Sequence, residues 1–233
     1  MIKLKKSWLI ILLSFFLLSL ILNLVFIYDS WHRNIVVKVV DGDSLDLADG
    51  RRIRLLGIDT PEKENCMYDQ ARAFLQKLAS GKHVRLKNSV KDSYGRLLAN
   101  VIVEDFPVWI NYLNWRYFSN KSLHPYPDPD PYLNRGLIVA GLARDTGSKI
   151  LKQAEIFSKD RQLGIWSGEC IQLAPANSDC QIKGNIRQDV KSYYLPDCPN
   201  YQQVIVNTAY GDNWFCSVDE ATKAGFSKSP GCR

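Results

Sequence analysis

DGDSLDLADGRRIRLLGIDTPE, residues 41–62, is the stretch on which the fold turns. Its Asp41-Gly42 and Asp49-Gly50 steps are turn signals, because the aspartate side chain caps a tight bend and glycine accepts the backbone angles the bend needs. The β-branched run Ile35–Val40 precedes the first step, Leu45-Asp46-Leu47 alternates after it, and Arg52–Leu56 alternates after the second. Two successive hairpins predict a three-stranded meander. The meander leaves charges over: Asp43, Arg54, Asp59 and Glu62 are not needed for either turn.

Working outward, Ala71, Phe74, Leu75 and Leu78 recur at helical spacing and predict a helix over Tyr68–Ala79. His83–Lys87 and Leu97–Val103 read as two further strands. Gly136–Ala143 and Ser148–Gln162 read as helices, the latter with Ile150, Leu151, Ala154 and Phe157 on one face and Gly164 as its stop. This order predicts an α+β fold: a five-stranded OB-fold barrel carrying three helices. The segment Tyr112–Asn134, rich in proline, aspartate and aromatics, reads as a long loop. Its Trp115, Tyr117, Phe118, Tyr126 and Tyr132 suit either packing of the loop or stacking on bases.

The barrel does not begin at residue 1. Lys3, Lys5 and Lys6 are followed by an apolar run from Trp8 to Tyr28, in which Asn23 is the only amide. A run of about 20 apolar residues matches a bilayer span. It exceeds the roughly 7–15 apolar residues of a cleavable signal peptide, and no small-residue cleavage pattern follows Phe26. Residues 1–30 therefore read as a transmembrane anchor. The basic flank keeps the N-terminus cytoplasmic and puts the rest outside, in the periplasm or at the cell surface. The expected division continues with a barrel domain over 31–169, a linker over 170–179 and a small cysteine-stapled module over 180–233. The formal charge is +6, half of it from the three leading lysines, which tolerates a polyanionic substrate without arguing for one.

Three motifs carry chemistry: VVDGDS (39–44), RLLGIDTPE (54–62) and DSYGRLLA (92–99). Hydrolysing a phosphodiester without histidine requires a hard cation, a base for water, and cationic donors for the charge that develops on phosphorus. Asp43 and Asp59 suit Ca²⁺, which takes oxygen ligands. Glu62 suits the alignment of a water, and Arg54 and Arg96 offer planar donors to phosphate oxygens. Asp41, Asp46 and Asp49 are turn or surface residues. DGDSLD is a poor EF-hand loop, with Leu45 at the fifth position. His32, His83 and His124 lack ligand spacing, and Lys87 and Lys91 read as surface charge.

These motifs, in this order, resemble the thermonuclease (staphylococcal nuclease-like) family, whose later landmarks match GLA at 141–143 and GIWS at 164–167. The resemblance spans about residues 34–168. It implies an OB-fold barrel and Ca²⁺-dependent endonuclease hydrolysis of DNA and RNA that leaves 3′-phosphate ends. It implies that Asp43, Asp59 and the Thr60 carbonyl hold the calcium, that Arg54 and Arg96 are the catalytic arginines, that Glu62 is the general base, and that Tyr94 contacts a substrate phosphate. The chain departs from the family in a shorter loop after Glu62 (KENCMYDQ), in RDTGSK after GLA where base-packing tyrosines are missing, and in the 112–134 insertion. The function from another class is a non-catalytic nucleic-acid or envelope-binding OB-fold module; retention of the acidic and arginine positions argues against it.

Six cysteines fit an oxidising compartment. Cys66 follows the catalytic loop and Cys170 the last helix, so a Cys66–Cys170 disulfide and two buried free thiols are both open readings. Cys180, Cys198, Cys216 and Cys232 allow three pairings, with four-cysteine zinc as competitor although the C-x₂₋₄-C spacing of zinc sites is missing. The segment also resembles a small module appended to bacterial envelope proteins, which implies Cys180–Cys216 and Cys198–Cys232. Its protein partner or envelope ligand stays open, and a third reading has the module bind an envelope polymer or a partner with the nuclease as its cargo.

Overall fold

The computed structural model describes residues 6–104, 132–187 and 190–232. The loop aromatics Trp115, Tyr117, Phe118 and Tyr126, with His124, lie outside the described residues.

Helix α1 (Lys6–His32) is apolar on every side, and none of its span Ile10–Asp29 is buried by the rest of the chain. It is long and apolar enough to cross a membrane. At its foot the Trp31 ring stacks on His83 at 3.7 Å. That contact gives His83 a structural occupation.

The meander forms as its turn chemistry requires: β1 (Val36–Val39), β2 (Ser44–Leu47) and β3 (Arg52–Leu55) pair in sequence, antiparallel. Asp41 Oδ1 accepts the Asp43 N–H at 3.1 Å and Asp49 Oδ1 that of Arg51 at 3.1 Å, so both turn aspartates are consumed by the bends. The short β4 (Ile58–Asp59) follows, then α2 (Tyr68–Ala79), β5 (Val84–Lys91) and β6 (Leu97–Val103). The sheet runs β1-β2-β3-β6-β5, with β3 and β6 parallel. It closes on itself through the Ile35–His83 bridge and the bonds Val36 N–H to Lys82 O (2.9 Å) and Val84 N–H to Asn34 O (2.9 Å). This is the expected five-stranded OB barrel.

Leu45, Leu47, Ile53 and Leu55 point into the barrel and are fully buried, with Ala71, Leu75 and Ala79 of α2 packed across its end. Helix α3 (Leu133–Val139) packs against β6 and α2, and α4 (Lys149–Asp160) packs on α3. Helix α3 starts and stops earlier than its periodicity predicts, because Gly141 turns to φ +70° and ends it. That turn meets the one at Gly164: a Cβ on Gly141 would lie 2.3 Å from Leu163 O, and one on Gly164 2.1 Å from Gly141 O. Ile165 N–H donates to Gly141 O at 2.8 Å across this contact. The GLA and GIWS landmarks are thus two halves of one backbone crossing. Between α3 and α4, β7 (Arg144–Asp145) pairs with β4.

The C-terminal segment is more ordered than its length suggests. β8 (Ile171–Gln172), inside the span that composition reads as linker, pairs with β11 (Val206–Asn207). A second sheet joins β12 (Asn213–Phe215), β9 (Ile182–Arg187), β10 (Val190–Tyr194) and β13 (Ser227–Lys228). Ile182, Tyr193, Phe215, Phe226 and Ala221 of α5 (Val218–Lys223) form a small separate core. The chain is joined at Cys66–Cys170, Cys180–Cys216 and Cys198–Cys232. The first closes 104 residues and ties the loop after Glu62 to the start of the C-terminal segment.

Candidate active site

Asp43 sits where the first hairpin turns, and only 1% of it is exposed. Its neighbour Gly42 lets this turn press against β4 and α2: a Cβ there would lie 2.7 Å from Thr60 Oγ1 and 2.9 Å from Ala71 Cβ. The close approach places Asp43 Oδ2 3.4 Å from the Thr60 N–H, while Oδ1 accepts from Ser44 Oγ at 3.0 Å. Arg54 projects from β3, whose register sets it opposite Ser44. Its guanidinium spans both acids: Nη1 donates to Asp43 Oδ1 at 2.7 Å and Nη2 to Asp59 Oδ1 at 3.1 Å. The Asp43, Arg54, Asp59 and Thr60 of the sequence reading are therefore brought together.

Burial pushes the Asp43 carboxyl up to about 7; Arg54 opposes this, while Asp41 and Asp59 add to it. One guanidinium shared between two acids does not supply enough positive charge for a carboxylate this deep. The donor set is all oxygen, which suits a hard divalent cation. Among the described residues no cluster of three or more His, Cys, Asp or Glu is assembled, so beyond Asp43 and Asp59 a cation would rely on a carbonyl such as that of Thr60 and on water. With that supplement the residues fit Ca²⁺.

Tyr94 and Arg96 lie in the turn between β5 and β6. Asp92 Oδ1 caps that turn, accepting from Tyr94 N (2.9 Å) and Arg96 N (2.8 Å). Arg96 Nε donates to Asp92 Oδ2 at 2.6 Å rather than to Asp43 or Asp59, and its guanidinium lies 5.3 Å from the centroid of the Tyr94 ring, which is 84% exposed. Arg96, Tyr94, Lys91, Arg54, Arg52 and Arg51 line one open groove. Arg52 and Arg51 are partly spent on Asp46 and Asp49 (2.7 and 2.6 Å). Glu62 stands on the exposed turn after Pro61, three residues from Asp59, its carbonyl accepting the Asn65 N–H at 3.0 Å.

Three residues that sequence reasoning passed over also build this region. Arg144 donates to Asp59 Oδ2 through Nη2 (2.8 Å) and Nε (3.1 Å). Tyr210 lies beneath Arg144, 3.7 Å from ring centroid to guanidinium carbon, and donates its hydroxyl to Asp59 O at 3.4 Å. Burial holds that hydroxyl well above the ordinary phenol range, so it remains a donor. Asn134 is buried and ties α3 to the sheet, accepting from Val101 N (3.0 Å) and donating to Leu56 O (2.8 Å) and Ala99 O (3.2 Å). The one legible hint was that Arg144 directly follows GLA; Tyr210 and Asn134 carried none.

Residues 52–168 match the family described as Staphylococcal nuclease homologue. The chain is 31% identical over 150 residues to a thermonuclease of Staphylococcus intermedius, covering 57% of this chain and 74% of that protein. It is 28% identical over 145 residues to protein ParB of Escherichia coli (58% and 72%). It is 38% identical over 73 residues to an uncharacterized endonuclease of Escherichia coli, where the match spans 30% of this chain and about half, 48%, of the relative.

Proposed function

The chain belongs to the family of staphylococcal nuclease homologues, and from that membership we propose that it is a Ca²⁺-dependent, membrane-anchored nuclease that hydrolyses DNA and RNA outside the cytoplasm. The observation that carries this reading is the Arg54 guanidinium bridging Asp43 and Asp59 at the wall of a basic groove.

Asp43, Asp59 and the Thr60 carbonyl would hold the cation, which would polarise the phosphoryl group and screen the two carboxylates from the anionic substrate. Glu62 takes a proton from the attacking water. Arg54 and Arg96 donate N–H bonds to the non-bridging oxygens as negative charge builds on them. The water oxygen bonds to phosphorus as the bond from phosphorus to the 5′ oxygen breaks; the departing 5′ oxygen takes a proton from solvent water, leaving a 5′-hydroxyl and a 3′-phosphate. Arg96 gives up Asp92 for phosphate at modest cost, because its guanidinium end is half-exposed and screened by water and Asp92 keeps its two backbone N–H donors. Tyr94 contacts a neighbouring phosphate through its exposed hydroxyl. Helix α1 anchors the enzyme with Lys3, Lys5 and Lys6 on the cytoplasmic side, and the three disulfides suit the oxidising side.

The test uses the full chain in detergent with single-stranded DNA and RNA, in Ca²⁺ and then in chelator, beside Glu62→Gln and Arg54→Ala. Cleavage should stop with chelator, and Arg54→Ala should lower the rate about 10²–10³-fold. Cleavage that ignores chelator, or runs at full rate in both variants, refutes the mechanism. Binding without cleavage would support a binding module instead.

A further inference from the structure

Asp59 is gripped from two sides. Arg54 takes Oδ1, and Arg144 takes Oδ2 with two donors. Arg144 is the cross-strand partner of Asp59 in the β4–β7 pair, so the two side chains leave the same face of the ribbon. A guanidinium on a long stem does not hold such a position unaided, since it must give up rotamer freedom to do so. The Tyr210 ring supplies the support, face-on to Arg144.

Tyr210 itself is fixed by the C-terminal segment. Cys170 O accepts from Thr208 N at 3.0 Å and from Thr208 Oγ1 at 3.1 Å, and Asn207 Nδ2 donates to Ile165 O at 3.0 Å. Ala209 packs with Ile165 and Cys170, and Cys170 is bonded to Cys66. A rigid chain of contacts thus runs from the disulfide through Tyr210 and Arg144 to the carboxylate.

We propose that the C-terminal segment completes the nuclease site: Tyr210, acting through the face of its ring on Arg144, is a positioning residue for the Asp59 carboxylate. With Oδ2 occupied by Arg144, Oδ1 is turned toward Arg54 and Asp43, the orientation a shared cation requires. This inference rests on the reading of Asp43 and Asp59 as the cation-holding pair.

The experiment is a Tb³⁺ luminescence titration of the full chain in detergent, with Tb³⁺ as the probe for a hard cation. Wild type is compared with Tyr210→Phe, Tyr210→Leu and Asp59→Asn, and kcat and KM for single-stranded DNA are measured alongside melting temperature. Tyr210→Phe keeps the ring and should keep Tb³⁺ affinity. Tyr210→Leu keeps an apolar side chain but removes the π face, so affinity should fall roughly three- to thirtyfold. Its kcat should drop at unchanged KM when both variants are assayed well below their melting temperatures, where each is fully folded. Equal Tb³⁺ affinity in the Leu and Phe variants overturns the positioning role while Asp59→Asn still abolishes binding. If Asp59→Asn leaves Tb³⁺ binding intact, the cation reading itself fails and takes the inference with it.

Discussion

Gly42→Ala should disable the site without touching a charged residue. The added Cβ would lie 2.7 Å from Thr60 Oγ1, and 2.9 Å from both Thr60 Cβ and Ala71 Cβ. Non-bonded carbon contacts settle near 3.5–4.0 Å, so the turn must retreat by about 0.6–1 Å. The neighbours cannot absorb that movement, because Thr60, directly after β4, is buried and Ala71 is fully buried on α2. Asp43 is the next residue, and its Oδ2 is already 3.4 Å from the Thr60 N–H, the outer limit of a hydrogen bond. Any retreat breaks that bond and opens the Asp43–Arg54–Asp59 bridge. Overpacking of this kind costs about 1–3 kcal/mol of stability, and a displacement near 1 Å in a catalytic array costs up to about 10²-fold in rate. Single-turnover cleavage of a DNA oligonucleotide in saturating Ca²⁺ reads the rate, and a thermal melt reads the stability. Gly50→Ala is the control: it sits in the second turn with open space around its Cβ, so it should lose stability to its positive φ and keep its activity. If Gly42→Ala cleaves at the wild-type rate, the turn's close approach to Thr60 does not set the spacing of the acids.

Other expectations are simpler to read. Cys66→Ala with Cys170→Ala opens a closure of 104 residues and should cost about 2–5 kcal/mol, seen as a lower melting temperature; an unchanged melt would refute it. Asn134→Ala removes three hydrogen bonds and strands the buried Val101 N–H, a loss of about 3 kcal/mol measurable by denaturant titration; a loss under 1 kcal/mol would contradict the latch. Burial alone would raise Glu155, but hydrogen bonds from Lys152 and Lys159 outweigh it and hold the group below the ordinary carboxylate value. A depressed folded pKa contributes stability that is present above the unfolded pKa and lost as pH falls through the folded one. Glu155→Gln should therefore melt lower than wild type at neutral pH and converge with it in acid; a constant gap across that range would rule out the charge as the cause.

The meander, the OB barrel, the apolar N-terminal helix and the cluster Asp43, Arg54, Asp59 and Thr60 were legible in the amino-acid sequence. They are written in short-range terms: turn aspartates that bond two residues ahead, alternation with period two, and motifs within a few residues of one another. Helix boundaries were less legible, because the stop at Gly141 depends on a backbone crossing with Gly164 that no local pattern shows. The residues that hold the cluster in place were scarcely legible, the position of Arg144 directly after GLA being the one hint. Asn134 reaches back 78 residues to Leu56, Arg144 85 residues to Asp59, and Tyr210 151 residues to the carbonyl of Asp59. Each looks like an ordinary polar or aromatic residue until the chain closes, since its role is set by a partner far along the sequence. Composition and spacing determined which groups are available for chemistry. Only the closed barrel, with the disulfide-tied C-terminal segment against it, decided which of them face one another and how firmly they are held.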